Sequence, residues 1–182
     1  MKKKVILSGL VLLLVGMTVQ AGPYFRSFTY QIALPMGNTS DYIGNTSFLG
    51  VGVEGRRFLN PHVSAGFSMD YNYFSQNNRR MHATPLLFNI HVYMGQHNVR
   101  PFLGFGAGTY YFRRYLDYGW GWGWDYSWHF GISPEVGIAI FSGRGGPYGF
   151  IISGRYHYAF GSSGVNDQSY WAIKIGGFMG GF

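Results

Sequence analysis

Six histidines, seven carboxylate side chains and no cysteine limit the chemistry open to this 182-residue chain. Without cysteine there is no thiolate nucleophile, no thiolate zinc site, no disulfide framework and no lipid-modified N-terminal cysteine. His62, His82, His91, His97, His129 and His157 are scattered, with no HExxH word or other tight metal pair. A serine hydrolase needs nucleophile, base and orienting acid within hydrogen-bond reach. His62-Val63-Ser64 is a His-x-Ser word, but it lies beside an expected turn with no obvious acid partner. Gly104-Phe105-Gly106-Ala107-Gly108 has the glycines of a nucleotide loop, yet it sits inside an alternating segment with no helix after it. These residues point away from catalysis, and neither a cofactor nor a metal is expected.

What must position them follows from composition. Aromatic residues make up 20%, glycines number 29 and charged residues only 12%, where a soluble domain carries roughly 25% charged residues. Mean hydropathy is −0.01, far below that of a membrane helix bundle. A barrel whose strands spend half their residues on lipid and half on a polar lumen averages near zero. Lys2, Lys3 and Lys4, the apolar run 5–15 and the small-residue site Val19-Gln20-Ala21 read as a cleaved secretory signal peptide over 1–21, leaving one domain over 22–182. Cleavage lowers the formal charge from +7 to +4 and leaves Lys174 as the last lysine, too sparse for nucleic acid.

Period-two alternation marks eight strands over 25–34, 48–58, 63–74, 85–94, 101–112, 128–141, 149–160 and 170–182. Phe67, Met69, Leu86, Phe88, Ile90, Val136 and Ile138 share the bulky apolar parity, and the opposite parity is rich in Gly, Ser and Ala. Eight strands leave an interior just wide enough for side chains, so small residues belong inside. That favours lipid outside over a soluble lipocalin-like barrel, which would bury its apolar set. The expected fold is all-β: a closed, antiparallel, up-and-down transmembrane barrel. Short periplasmic turns should follow the even strands and longer outer loops the odd ones. Parity in the last strand is expected to slip around Gly176-Gly177 at a bulge.

On the inward parity lie Glu54, Arg56, Asp70, Glu135, Arg155 and Lys174, three acids and three bases, with His91, His129 and His157. Lone buried charges are expensive, so a closed salt-bridge network filling the lumen is expected. The outer loop expected over 115–127 alternates tryptophan with glycine. Tyr118, Trp120, Trp122, Trp124 and Tyr126 would form either an interfacial belt or a surface that stacks on sugars or docks a partner. Arg79, Arg80, Arg113 and Arg114 are expected to meet lipopolysaccharide phosphates, and Arg57, Arg100 and Arg144 the inner-leaflet head groups.

With its signal peptide, eight alternating strands, aromatic outward faces and terminal Phe182, the chain resembles the small eight-stranded bacterial outer-membrane β-barrels. These include OmpX, the OmpA transmembrane domain, the opacity-type adhesins and the lipid A deacylase PagL. The resemblance implies insertion by the barrel-assembly machinery, with Phe182 and Phe178 as its assembly signal. It also implies outer-membrane lipids, including lipopolysaccharide, as surroundings, and a possible extracellular or envelope protein partner. A PagL-like enzyme would carry His-x-Ser on the seventh strand; here His157 is followed by Ala159, which has no nucleophilic oxygen. The function expected is non-catalytic action through the outer loops or in envelope integrity. The alternatives are a small-solute porin and a lipid A-modifying hydrolase.

Overall fold

In the computed structural model, residues 23–95, 97–117, 121–143, 147–161 and 166–180 are described. The proposed signal peptide, Tyr118, Trp120, Arg144 and Phe182 lie outside them, as does the side chain of Trp122. The elements are β1 (Tyr24–Met36), a six-residue helix α1 (Gly37–Tyr42), β2 (Ser47–Asn60), β3 (Val63–Gln76), β4 (Arg79–Tyr93), β5 (Val99–Asp117), β6 (Trp122–Phe141), β7 (Tyr148–Ala159) and β8 (Gln168–Gly180). Each strand pairs antiparallel with its sequence neighbours, and β1 pairs with β8 to close an eight-stranded barrel.

The alternation in the sequence sets which face is which. Phe67 is 52% exposed and Ile138 43%, both on the outer wall, whereas Ser68, Asp70, Asn72, Asn89 and His91 point inward and are buried. The apolar set is therefore outside, the reverse of a soluble lipocalin-like barrel. Inward glycines make room for larger neighbours: a Cβ at Gly104 would strike the His91 ring, and one at Gly106 the Asn89 amide.

Three expectations change. The β1–β8 register runs from Phe25↔Gly180 to Met36↔Ser169 with no slip. Parity therefore holds through Gly176 and Gly177, and Phe178 turns inward, stacking on Phe25 at 4.5 Å. The loops after β3 and β5 are not long. β3 and β4 meet at the two-residue turn Asn77-Asn78, with Asn77 at φ 54°, a left-handed conformation that Asn tolerates. β5 and β6 run on to Asp117 and Trp122, which pair with each other. The first outer loop also holds a helix, α1, where only turn residues were expected.

Candidate functional site

The lumen is stacked in three layers. At the end of the barrel that carries the β2–β3, β4–β5 and β6–β7 turns, Phe25, Phe58, Tyr93, Phe102, Phe141 and Phe178 form an apolar plate. At the opposite end, that of α1, Ile43, Phe74, Met81, Leu87, Tyr110 and Phe112 are among the residues of a second. Between them the structure brings together all six inward charges singled out in the sequence.

Arg155 is central. Its Nε donates to Glu135 Oε2 at 2.9 Å, its Nη2 bonds the same oxygen, and Nη1 reaches Asp70 Oδ2 at 3.3 Å and Ser68 Oγ at 3.0 Å. Lys174 Nζ lies 3.7 Å from Asp70 and 3.9 Å from Glu135. Arg56 Nε lies 3.1 Å from Glu54 Oε1, and its guanidinium covers the Phe25 ring at 3.9 Å, joining the ionic layer to the lower plate. His91 Nε2 sits 3.0 Å from Glu135, Ser153 Oγ donates to Glu135 at 2.6 Å, and Gln31 Nε2 donates to Asp70 at 2.7 Å. The charges balance three to three; Asp70 and Glu135 are hydrogen-bonded, while Glu54 is held by ion-pair contacts to Arg56 and Arg155.

α1 lies across the outer mouth. Thr39 Oγ1 accepts from the Ser169 N–H at 2.9 Å and bonds Gln168 at 3.1 Å, Asn38 donates to Asp167 at 2.7 Å, and the Tyr42 hydroxyl donates to the Tyr115 carbonyl. Ile43, just after the helix, is fully buried in the upper plate. Composition hid this cap; a lone Ile in a polar loop was the available signal.

The other distinctive feature is outside. The β6–β7 ladder begins at Gly131↔Ala159, with one further bond from the Phe160 N–H to the Phe130 carbonyl. Residues 122–128 of β6 pair with β5 alone among the described residues. Backbone groups alternate sides along an antiparallel strand. The N–H and C=O of Trp128, Tyr126 and Trp124 therefore point the same way as the Phe130 carbonyl, off the edge that no described residue pairs.

The side chains of this overshoot form a ladder on the outer face. Tyr111 packs on Trp128 at 4.9 Å, Tyr115 on Trp124 at 5.0 Å, and the Arg113 guanidinium lies 3.9 Å over Trp124 and 5.6 Å over Tyr126. His82 of β4 completes it, 5.4 Å from Trp124 and 2.6 Å from the Tyr71 hydroxyl. The outward-facing charged Arg80 and Arg113 flank His82, which places this end of β4 at the level of head groups rather than hydrocarbon. Burial first, then Arg113 and Arg80, lower its pKa below the usual 6.5.

The expected arginine set divides. Arg80 and Arg113 keep the outward parity and flank His82. Arg114 turns inward to Asp125 at 3.0 Å, and Arg79 donates to the Tyr42 carbonyl at 3.1 Å. Arg57 is exposed near the β2–β3 turn, but Arg100 is buried and donates to the His97 carbonyl at 3.0 Å. A charged residue within two positions of a turn faces in or out by strand parity, which overrides proximity to head groups.

His157 is buried, hydrogen-bonded to the Tyr110 hydroxyl at 3.1 Å and stacked on Tyr170 at 4.5 Å, and Ala159 is buried beside it. His62 contacts the Tyr93 carbonyl at 3.2 Å, while Ser64 is fully buried. One Ser-His contact was not singled out in the sequence: Ser127 Oγ lies 3.0 Å from His129 Nε2. The other nitrogen of that ring faces the Phe160 carbonyl at 2.7 Å, and Asp125 is held by Arg114. This contact ties the base of the overshoot to the end of β7.

No protein-family model matches the chain, and no curated protein is similar to it. Among solved structures it is similar to Neisserial surface protein A, with a TM-score of 0.64 and 14% identity over 88% of this chain and 97% of that one. The N-terminal β-barrel domain of Pseudomonas aeruginosa OprF gives 0.53 and 10% over 88% and 100%. Ail, the attachment invasion locus protein of Yersinia pestis, solved with the heparin analogue sucrose octasulfate, gives 0.51 and 11% over 86% and 97%. The chain has the fold of the small eight-stranded outer-membrane barrels.

Proposed function

We propose that the chain is an integral bacterial outer-membrane protein, exported by its first 21 residues, that acts without catalysis by docking an extracellular or envelope protein on the outer end of its β5–β6 hairpin. The observation that carries this is the edge of residues 122–128, which no described residue pairs, lined on its outer face by Trp124, Tyr126 and Trp128. Unpaired strand edges are templates for another extended chain, and exposed aromatic ladders supply contact area at low entropic cost. Supporting a non-catalytic role, His157 is engaged by two tyrosines and Ala159 offers no hydroxyl. Supporting a role outside transport, both ends of the lumen are plated by apolar side chains. The attachment role in the name of Ail belongs to that protein and is compatible with this reading.

The test is Tyr126→Pro in cells displaying the protein. The Tyr126 N–H points off that edge, so the substitution removes an edge donor without removing a β5–β6 bond. Cell adhesion and cross-linking from a photoreactive residue at position 124 should be lost, with barrel content unchanged. Undiminished adhesion by the folded variant would overturn the edge-docking proposal.

A further inference from the structure

Above the membrane, a cleft of about 550 Å³ opens between the end of α1 and the β3–β4 turn. We propose that this cleft binds a neutral sugar residue of a surface glycan. Its chemistry narrows the ligand. Ser40, Asp41, Gln76, Asn77, Asn78 and Arg79 line it together with Tyr42 and Gly44, and no aliphatic side chain does. More of the exposed lining is carbon than polar atoms, which suits a ring that presents both CH and OH groups, and a wholly apolar ligand would strip water from the polar ends without replacing its bonds. A polyanion would meet the Asp41 carboxylate and the two Asn amides with a single guanidinium in compensation. A cation would find one carboxylate. A polyol, whose hydroxyls both donate and accept, suits a wall that mixes an acceptor-only carboxylate, a donor-only guanidinium and two-way amides.

The walls are held before any ligand arrives. Arg79 Nη1 donates to the Tyr42 carbonyl at 3.1 Å and reaches the Asp41 carbonyl at 3.5 Å, and its guanidinium lies 5.5 Å over the Tyr42 ring. Gln76 Oε1 accepts from the Gly44 N–H at 2.5 Å. These two clasps join α1 to the hairpin, while Tyr42 is moored at its far end to Tyr115. Asn77 takes the left-handed conformation in a two-residue turn, which sets the backbone of the tip that carries the Asn77 and Asn78 amides. With Tyr42, Gln76 and Arg79 already held, binding costs less side-chain entropy there, and the cleft's volume is in the range of small-molecule sites.

The test uses the purified full-length barrel in phospholipid nanodiscs. Lactose, maltose and N,N′-diacetylchitobiose serve as neutral probes and sucrose octasulfate as the anionic one, all read by saturation-transfer NMR. At least one neutral disaccharide should give transfer signals. Asp41→Ala and Asn78→Ala should each weaken its binding about tenfold or more, while Trp124→Ala leaves it intact. Asp41 and Asn78 are exposed and outside the strand ladders, so these variants keep the fold. Retention in Trp124→Ala separates the cleft from the β6 edge: failure of either leaves the other standing. Absence of any neutral-sugar signal, binding of the sulfated probe alone, or unchanged binding in both cleft variants overturns the proposal.

Discussion

Arg155 holds three carboxylates from three different strands, Glu135 on β6, Asp70 on β3 and, at 3.8 Å, Glu54 on β2. Removing one partner of a buried ion pair leaves an uncompensated charge and costs about 3–5 kcal/mol, more than the pair itself contributes against an apolar substitute. Arg155→Leu should therefore destabilise the barrel by that amount. Arg114→Leu, which breaks a pair whose Asp125 side chain is 35% exposed, should cost less than about 1 kcal/mol. Urea unfolding from lipid vesicles, compared at matched pH, measures both; equal costs would mean that the central layer is hydrated. His82 offers a second measurement at this scale. Its folded pKa lies below 6.5, so its contribution to stability is fully present above pH 6.5. That contribution is lost as pH falls through the folded pKa, because the unfolded chain takes up the proton first. Imidazole resonances should titrate with a midpoint below 6.5. Arg113→Gln should raise the midpoint only partway, since burial is the larger cause. A midpoint at or above 6.5 in the unsubstituted protein would mean that the ring is not packed under Trp124.

At the level of elements, the eight strands and their in–out parity were readable wherever the chain crosses hydrocarbon, because there the outer positions must be apolar. Above the hydrocarbon that requirement lapses. Arg80, His82 and Thr84 face outward on β4 without an apolar residue among them, so alternation starts the strand only at Pro85, although inward Met81 and Ala83 carry the core signal. The same holds for 113–127, where glycine and aspartate masked a ladder that continues Tyr111 as Arg113 and Tyr115, and Trp128 as Tyr126 and Trp124. Pairing all six lumen charges was legible from parity and charge balance, but the partner sets were not, since they depend on shear around the barrel. The two consecutive glycines in β8 suggested a slip for a local reason, and register with β1 overrules it. Gly176 sits opposite Thr29, and a Cβ there would press into the Phe28 carbonyl. Gly176→Ala should thus open the closing seam and cost about 1–3 kcal/mol. Gly177→Ala, whose Cβ would find only the Gly149 carbonyl at 3.9 Å, should be nearly neutral. Comparing the two by heat-modifiable electrophoretic mobility and urea midpoint tests the uninterrupted register; a reversed order would restore the slip.

Across the whole molecule, the order of layers decides whether anything passes through. An ion entering from the outside meets α1 moored across the mouth and then the plate of Phe74, Tyr110 and Phe112. Beyond these come the Arg155 network and finally Phe25, Phe102 and Phe141. Eight strands leave no spare radius around such fillings. Parting the charges alone would not open a path, because each plate is continuous with a different set of strand ends. Purified protein in a planar bilayer should give no stable single-channel steps in the unsubstituted form. Tyr110→Ala with Phe112→Ala, which thins only the outer plate, should stay silent as well, since the ionic layer and the lower plate remain. If unsubstituted protein conducts in discrete steps, the plates are not seals, and transport displaces surface docking as the better reading of the fold.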